Sequence, residues 1–357
     1  MKPEIELELS ALSINITDQC NLRCRHCWVS AGPGAAGGRA QELTREEIVG
    51  FVRDAIPHGL RNVNITGGEP FARWDMLDII SDIRALSIGI SMETNGTLID
   101  EKIAATLNEL GVYCVAVSLD GATPDSHEFL RGVAGSFAQA CEAIRLLSRA
   151  GIPTQAIASI HRGTLDETED IIALAAELGA SSVKVDPIQA WGRAAEDEAL
   201  ECLSVAEHLD LHHRLTARAR AHPQGAEVMV PVPPAFLPAK ELAVYREICG
   251  PLARLGLLPD GRVSICAFGG SKSAPIFGSA REHSVADIWA GNRELRELRE
   301  VVPHRLEGVC GRCLLRLTCL GYCRAKAVSV FGSLASPCEI CQAAYDMGVF
   351  PASRLMN

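Results

Sequence analysis

Three cysteines near the start of the chain have the spacing of an iron–sulfur ligand set. They are Cys20, Cys24 and Cys27, separated by three and two residues within one short loop. Three thiolates so close together can bind three irons of a four-iron four-sulfur (4Fe-4S) cluster and leave the fourth iron free to bind a small molecule. The alternative is a zinc site completed by His26, because zinc also takes thiolate and imidazole ligands.

A second and larger group of cysteines lies toward the C-terminal end. It begins with Cys249 and Cys266, with eleven residues before Gly261 and four after it. A dense segment with gaps of two, five and three residues follows, and two more cysteines come later: Cys310, Cys313, Cys319, Cys323, Cys338 and Cys341. A pair separated by two residues is also typical of zinc ribbons, so such a pair alone does not identify the metal.

The loops that carry these side chains need a framework, and the sequence predicts one of repeated βα units. Short β-branched and apolar runs alternate with helical segments, the pattern of buried parallel strands joined by helices. The six predicted strands are Leu12–Thr17, Asn62–Thr66, Ile88–Glu93, Val112–Leu119, Thr154–Ile160 and Ser182–Val185. The predicted helices are Thr44–Ile56, Trp74–Leu86, Glu101–Leu110, Phe137–Ala150 and Leu165–Leu178.

Six units are fewer than the eight of a closed TIM barrel, so we predict an α/β fold built as a partial (β/α)6 TIM-like barrel. A doubly wound sheet has the same pattern, and in both folds the reactive loops lie at the carboxyl ends of the strands. We predict a barrel domain over residues 1–222, a proline-rich linker over 223–244 and a small cysteine-rich iron–sulfur domain over 245–357.

The first cysteine loop and the segments after the next three strands resemble those of radical S-adenosylmethionine (SAM) enzymes. The segment Thr66-Gly67-Gly68-Glu69-Pro70 is similar to the family's GGEP segment, and Thr94-Asn95-Gly96 and Ser118-Leu119-Asp120-Gly121 match further segments beside SAM. The resemblance implies that SAM binds the open iron and is cleaved reductively to a 5'-deoxyadenosyl radical. It also implies a SAM-binding set made of Thr66, Gly67, Gly68, Glu69, Thr94, Asn95, Ser118, Asp120 and Arg131. Arg131 would pair with the SAM carboxylate, because a guanidinium matches that geometry.

The C-terminal cysteines resemble the SPASM extension of radical SAM enzymes, which carries two auxiliary 4Fe-4S clusters. The segment Gly321-Tyr322-Cys323-Arg324-Ala325 is similar to its GGCRA segment, with Tyr322 in place of a glycine. The resemblance implies one cluster on Cys249, Cys266 and Cys323, which is one ligand short. It implies a second cluster on Cys310, Cys313, Cys319 and Cys341. Three roles stay open for Cys338: a ligand in place of Cys341, a spare thiol, or a catalytic group.

Composition excludes several classes of partner. The chain has 34 Lys and Arg against 44 Asp and Glu, a formal net charge of −10, so it lacks the broad basic surface that nucleic acid or an anionic membrane requires. We find neither a signal peptide nor an apolar run long enough to span a bilayer, and we therefore expect a cytoplasmic protein. In that reducing compartment, clustered cysteines are more often ligands than disulfides.

The side chains left over are predicted to be inert. Cys114 and Cys141 lie in a strand and a helix, where cysteine is most often a small apolar residue. His208, His212 and His213 share a helical segment without a matching set of acids, and we interpret them as a polar surface.

The resemblance implies hydrogen-atom abstraction from an unactivated C–H bond, with the cofactor carrying the chemistry. Enzymes that resemble this chain mostly modify ribosomally made peptides or proteins, so a peptide-modifying maturase is the first hypothesis. The second is the same chemistry on a small metabolite, such as a sugar, a nucleoside or a haem precursor. The third is an iron–sulfur protein for electron transfer or scaffolding, which the segments similar to SAM-binding ones disfavour.

Three further expectations concern partners. A low-potential flavodoxin or ferredoxin would supply the electrons. Sulfatase maturases carry an acidic base directly after the cysteine that matches Cys266, and Ala267 stands there, so sulfatase maturation is disfavoured. Because the first ligand is residue 20, we expect a peptide leader to be bound by the core, the SPASM domain or a separate protein.

Overall fold

The computed structural model describes residues 7–34, 41–221, 226–245, 252–267 and 274–356. The chain divides into two compact units. One, here named the barrel unit, comprises Ile14–Arg45 and Val63–Pro231. The other, the cysteine-rich unit, comprises Met1–Ser13, Glu46–Asn62 and Val232–Asn357. The domain limits expected from the sequence stay predictions.

A parallel sheet forms the framework of the barrel unit. Its strands follow one another in the order of the chain, and those from β3 onward each pair in parallel with the next. They are β1 (Ala11–Asn15), β2 (Asn62–Thr66), β3 (Gly89–Thr94), β4 (Cys114–Ser118), β5 (Thr154–Ile160), β6 (Ser182–Pro187) and β7 (Glu227–Met229). The six predicted strands are confirmed, and the α/β partial barrel is the fold observed. The seventh strand is an addition that lies within the predicted linker, and at three residues it is too short to give a periodic signal.

Burial alternates along the strands because successive side chains point to opposite faces of the sheet. One face is apolar and fully buried, as at Ile90, Val115 and Val183. The opposite face is half-buried and mostly polar, and we name it the open face. Its side chains include Asn64, Ser91, Glu93, Ser118, Gln155, Ser159, Lys184 and Asp186.

Seven α-helices accompany these strands in the described part of residues 7–221. They are α1 (Arg45–Ala55), α2 (Met76–Ala85), α3 (Glu101–Glu109), α4 (Pro124–Arg131), α5 (Ser136–Arg149), α6 (Thr168–Glu177) and α7 (Val205–Ala221). The sequence prediction missed α4, although Thr123 caps its start and Pro124 occupies its first turn, which are ordinary start signals. This helix carries Arg131 at its last position, so that residue lies at a helix end next to the rim of the sheet.

The cysteine-rich unit combines a small antiparallel sheet with short helices. Strands β8 (Arg254–Leu257), β9 (Arg262–Ser264) and β10 (Ile276–Ser279) pair in sequence. Its later helices are α8 (Ala239–Val244), α9 (Arg293–Val301), α10 (Gly308–Gly311), α11 (Arg316–Cys319), α12 (Arg324–Phe331) and α13 (Glu339–Asp346). The dense cysteine segment therefore lies in short helices and turns.

The prediction that the α7 histidines form a polar surface is wrong for two of them. His208 and His212 are buried, and their ring nitrogens lie 3.0 Å from the backbone oxygens of Pro231 and Val230. Only His213 is exposed. The reason is the extended segment after α7, which covers the face of the helix that carries the first two rings. In the described part of the chain, no helix combines the length and apolar composition needed to cross a membrane.

Candidate active site and cysteine centres

The loop after β1, residues 17–28, carries the first three cysteines and packs against the segment after β2. The backbone N–H of Gly68 donates to the Thr17 carbonyl at 2.7 Å, and that of Glu69 donates to the Gln19 carbonyl at 2.8 Å. A Cβ on Gly68 would lie 2.2 Å from the Gln19 oxygen, and one on Gly67 would lie 2.8 Å from the Thr17 oxygen. Both glycines are therefore required for the approach of this cysteine loop.

Glu69 ties the second and third strand ends together. Its carboxylate is fully buried and accepts hydrogen bonds from Thr94 Oγ1 and the Asn95 backbone N–H, each at 2.8 Å, and from the Phe71 N–H at 3.1 Å. These bonds lower its pKa, but burial outweighs them and the net pKa is raised. The carboxylate therefore holds the ends of β2 and β3 together. A direct contact between Glu69 and SAM stays a prediction.

Asn95 connects the third strand end to the first cysteine. Its side-chain N–H lies 3.7 Å from Cys20 Sγ and donates to Asn21 Oδ1 at 3.0 Å. Two other predicted SAM contacts, Thr66 and Ser118, direct their hydroxyls at neighbouring strands. Thr66 Oγ1 donates to Glu93 and Ser118 Oγ to the Thr94 carbonyl, both at 3.4 Å.

Arg131 reaches the second cysteine from the end of α4. Its Nε lies 2.5 Å from Asp120, a carboxylate with no exposed surface, and its Nη1 lies 3.6 Å from Cys24 Sγ. Burial would raise the pKa of Asp120, but Arg131 and the nearby His26 and His127 outweigh it and lower the pKa to about 2. The charged pair thus places a guanidinium beside a candidate iron ligand, and pairing of Arg131 with the SAM carboxylate stays a prediction.

His127 and His161 complete the surroundings of Asp120, and the sequence analysis missed both. The Asp120 backbone N–H donates to His127 Nδ1 at 3.2 Å, so this ring acts as a neutral acceptor. Burial lowers the pKa of His127 to about 4, which agrees with that state. His161 follows β5 directly and stacks on Phe129 with ring centroids 5.5 Å apart. The sequence could have indicated His161 by its position directly after β5, because polar residues at the carboxyl ends of barrel strands line the active site.

The donor set at the cysteine loop fits an iron–sulfur cluster. Burial raises the pKa of Cys20 to about 12 and also raises that of Cys24, so binding of iron must release protons. Among the residues that the structure describes, no group of three or more His, Cys, Asp or Glu side chains converges to hold a metal ion. In a four-iron cluster each thiolate binds a different iron, so such convergence is not required.

Arg193 braces the cysteine loop, and the sequence analysis gave it no role. Its Nε and Nη1 donate to the carbonyls of Cys24 and Ala31, both at 2.7 Å, and its backbone N–H donates to the Cys27 carbonyl at 3.1 Å. The residue before it, Gly192, has a positive φ of 53° and would place a Cβ 2.4 Å from the Cys27 oxygen. The sequence feature that could have indicated this role is the Gly192-Arg193 pair, which follows the sixth strand.

Four of the C-terminal cysteines line one small pocket, here named the cysteine cavity. Apolar side chains such as Leu306 and Phe350 form most of the remaining wall, and Arg316 also lines it. The four are those that the SPASM resemblance assigns to one auxiliary cluster: Cys310, Cys313, Cys319 and Cys341. A pocket lined by four thiols and a mostly apolar wall has the donor chemistry of a four-iron cluster site, although the ligand assignment itself stays a prediction.

Cys338 lies against this group without lining the cavity. It is buried, it precedes α13, and its backbone N–H donates to Cys310 Sγ at 3.2 Å. The Cys341 thiol is hydrogen-bonded to the thiols of both Cys310 and Cys338. A role beside the cluster therefore agrees better with its position than a role in contact with substrate.

The other proposed auxiliary ligands are described only in part. Cys266 is buried, and Cys323 Sγ accepts from the Lys326 backbone N–H at 3.4 Å at the start of α12. Cys249 lies outside the described residues. The ligand set of this cluster stays a prediction.

Comparison with known proteins adds independent findings. Residues 14–175 match the model of the radical SAM superfamily, and residues 249–314 match SPASM, an iron–sulfur cluster-binding domain. An AdoMet-dependent heme synthase of Methanosarcina barkeri is 27% identical over 89% of this chain and 91% of its own length. A PqqA peptide cyclase of Rhizobium meliloti is 26% identical over 93% of this chain and 86% of its own length.

The fold is also found among solved structures. Streptococcus suis SuiB bound to its precursor peptide SuiA superposes with a TM-score of 0.74 at 17% identity, covering 94% of this chain and 76% of that one. The first matched region contains the cysteine loop, and the second contains the first four cysteines of the C-terminal group. The chain therefore belongs to the radical SAM superfamily of enzymes and carries a SPASM iron–sulfur domain.

Proposed function

We propose that this enzyme modifies a peptide or protein substrate by radical chemistry. Two similar proteins support this, the PqqA peptide cyclase and the SuiB structure with its precursor peptide. SAM and a four-iron cluster, when bound, supply a carbon radical that removes a hydrogen atom from an unactivated C–H bond. We propose the ligand sets given above for the three clusters, and a flavodoxin or ferredoxin as the electron donor.

Side chains and backbone groups of this chain would hold the cluster in place and adjust its reduction potential. Cys20, Cys24 and Cys27 would hold the cluster, while Asn95 and Arg131 direct N–H groups at two of the sulfurs. Such N–H groups stabilise thiolate charge and adjust the reduction potential of a cluster. Close packing at Gly67 and Gly68 and the hydrogen bonds from Arg193 hold the cysteine loop against the carboxyl ends of the strands.

The charge of the open face is the observation that favours a peptide. Its one described cation, Lys184, lies 2.7 Å from Asp186. Glu93 receives hydrogen bonds from Asn64 and Thr66, and no cation among the described residues contacts it. The face therefore has an excess negative charge and many neutral hydrogen-bonding groups, which suit backbone amides and basic or neutral side chains.

A haem precursor is the second candidate, since the Methanosarcina barkeri heme synthase matches along nearly its whole length. A haem carries propionate groups, and a buried carboxylate needs a cationic partner. Two described cations of the open face and the adjoining rim are already paired, Lys184 with Asp186 and Arg131 with Asp120. This arrangement favours the peptide.

Anaerobic turnover with both substrate classes tests the proposal. The reconstituted enzyme, SAM and dithionite are incubated either with small peptides encoded beside its gene or with carboxylated haem precursors. Formation of 5'-deoxyadenosine is followed by chromatography and substrate change by mass spectrometry. We expect a peptide to change mass, with loss of activity in Cys24→Ala and full activity in Cys141→Ala, whose thiol is buried on α5.

Two results would contradict the proposal. If only the haem precursor changes, the second candidate is correct. If the fully iron-loaded enzyme cleaves no SAM with either substrate class, the radical mechanism itself is wrong for this chain.

A further inference from the structure

Arg324 is a buried cation without an anionic side chain beside it. It is 2% exposed and is the largest of the fully buried side chains that the structure describes. Its Nη1 donates to the carbonyls of Leu334 at 2.9 Å and Ser336 at 2.6 Å, and its Nη2 donates to the Gly321 carbonyl. Its Nε has no hydrogen-bond partner among the described residues.

No carboxylate in the described part of the chain forms an ion pair with Arg324. Glu339, at the start of α13, forms its ion pair with Lys326 instead. Arginine stays protonated at any physiological pH, so it keeps its charge when buried. Neutral carbonyl groups offset only part of the cost of removing that charge from water, so a nearby anion is expected.

The cysteine cavity is the place where that anion would form. Gly321, whose carbonyl accepts from Arg324 Nη2, is part of the cavity wall. Ser336, whose carbonyl accepts from Arg324 Nη1, lies two residues before Cys338, whose backbone N–H donates to Cys310 Sγ. The hydrogen bonds of Arg324 also join the turn between Cys319 and Cys323 to the segment that leads into Cys338. The guanidinium is therefore adjacent to the proposed cluster and tied to two of the segments that would hold it.

A four-iron cluster with four thiolate ligands is an anion, and reduction makes it more negative. Nearby charge is one of the factors that set the reduction potential of such a cluster. We propose that Arg324 is the counterion of the cluster held in the cysteine cavity and raises its reduction potential. This inference rests on the cluster assignment in the proposed function, but it is independent of which substrate is modified.

Redox titration of the full-length protein tests the proposal without SAM or substrate. Cys20, Cys24 and Cys27 are replaced by Ala in every sample, so that only the auxiliary clusters contribute to the electron paramagnetic resonance signal. Arg324→Met, which removes the charge, is expected to shift one auxiliary potential to more negative values, whereas Arg324→Lys stays near the parent.

Arg312→Met is the matched control, because this arginine adjoins Cys313 but is exposed. Water and salt screen an exposed charge, so its removal should shift the potential less than Arg324→Met does. Equal shifts in Arg324→Met and Arg312→Met, or no shift in either, would overturn the proposal.

Thermal unfolding covers the case in which Arg324→Met fails to assemble its cluster. Melting temperatures are compared for the iron-loaded protein and for protein stripped by a chelator. A counterion predicts unequal effects: Arg324→Met lowers the melting temperature of loaded protein by more than that of stripped protein, where the charge lacks its partner. A purely structural role lowers both equally, and that result would also overturn the proposal.

Discussion

Replacing Asp120 by Asn tests whether its ion pair with Arg131 stabilises the rim of the barrel unit. The carboxylate has no exposed surface and lies 2.5 Å from Arg131 Nε. Despite the opposing effect of burial, its pKa is lowered from 3.8 to about 2, which corresponds to about 2 kcal/mol in favour of the charged form. The Ser159 backbone N–H donates to Asp120 Oδ1 at 2.9 Å, and asparagine keeps an oxygen for this bond but leaves the guanidinium unpaired. We expect the free energy of unfolding to fall by about 2 to 3 kcal/mol.

The effect depends on pH in a defined direction. The pKa of Asp120 is lower in the folded protein than in the unfolded chain, so its contribution is fully present above the unfolded value of 3.8 and is lost as the pH falls toward about 2. The difference between wild type and Asp120→Asn should therefore be constant from about pH 8 to about pH 5 and shrink below about pH 4.

Urea unfolding followed by circular dichroism measures both effects. Asp197→Asn is the matched control, because Asp197 pairs with Arg25 at 3.1 Å on a partly exposed surface. A pair of that kind contributes less than about 1 kcal/mol. The reasoning is refuted if Asp120→Asn costs no more than Asp197→Asn, or if its cost grows as the pH falls.

Three further tests address the two cysteine sites and the packing of the cysteine loop. Cys341→Ala is expected to lose the iron of the cysteine cavity, about four atoms per chain, whereas Cys338→Ala keeps it; the opposite pattern in iron analysis would make Cys338 the ligand. Arg193→Ala removes one side-chain hydrogen bond to the loop, at Cys24, and one to Ala31 just after it, so we expect a chelator to extract iron roughly tenfold faster. An unchanged rate would show that Arg193 does not stabilise the loop. Gly68→Ala should lower the free energy of unfolding by about 1 to 3 kcal/mol, because its Cβ would meet backbone. Gly50→Ala, on α1 with open space around it, should be neutral or slightly stabilising in the same unfolding assay.

The order of strands and of motifs was readable from the sequence because it depends on local patterns. Buried parallel strands produce short apolar runs, and the cysteine loop lies within twelve residues of chain directly after the first of them. The segments beginning at Thr66, Thr94 and Ser118 each follow a further strand, so their meeting at one rim also followed from the fold class. Strand β7 escaped prediction because three residues carry no period.

The partners of the charged and sulfur-bearing side chains were decided by the tertiary structure. Sequence spacing does not say that Arg131 faces Asp120 and Cys24, that Arg193 holds the cysteine loop, or that Cys341 lines a cavity while Cys338 lies behind it. Such partners are distant along the chain, and each contact depends on the direction of a side chain and on what fills the space beside it. The sequence by itself determined which chemical groups are present and at which strand ends they lie. Packing alone determined which of them are buried, which charges are neutralised, and which thiols face a common cavity.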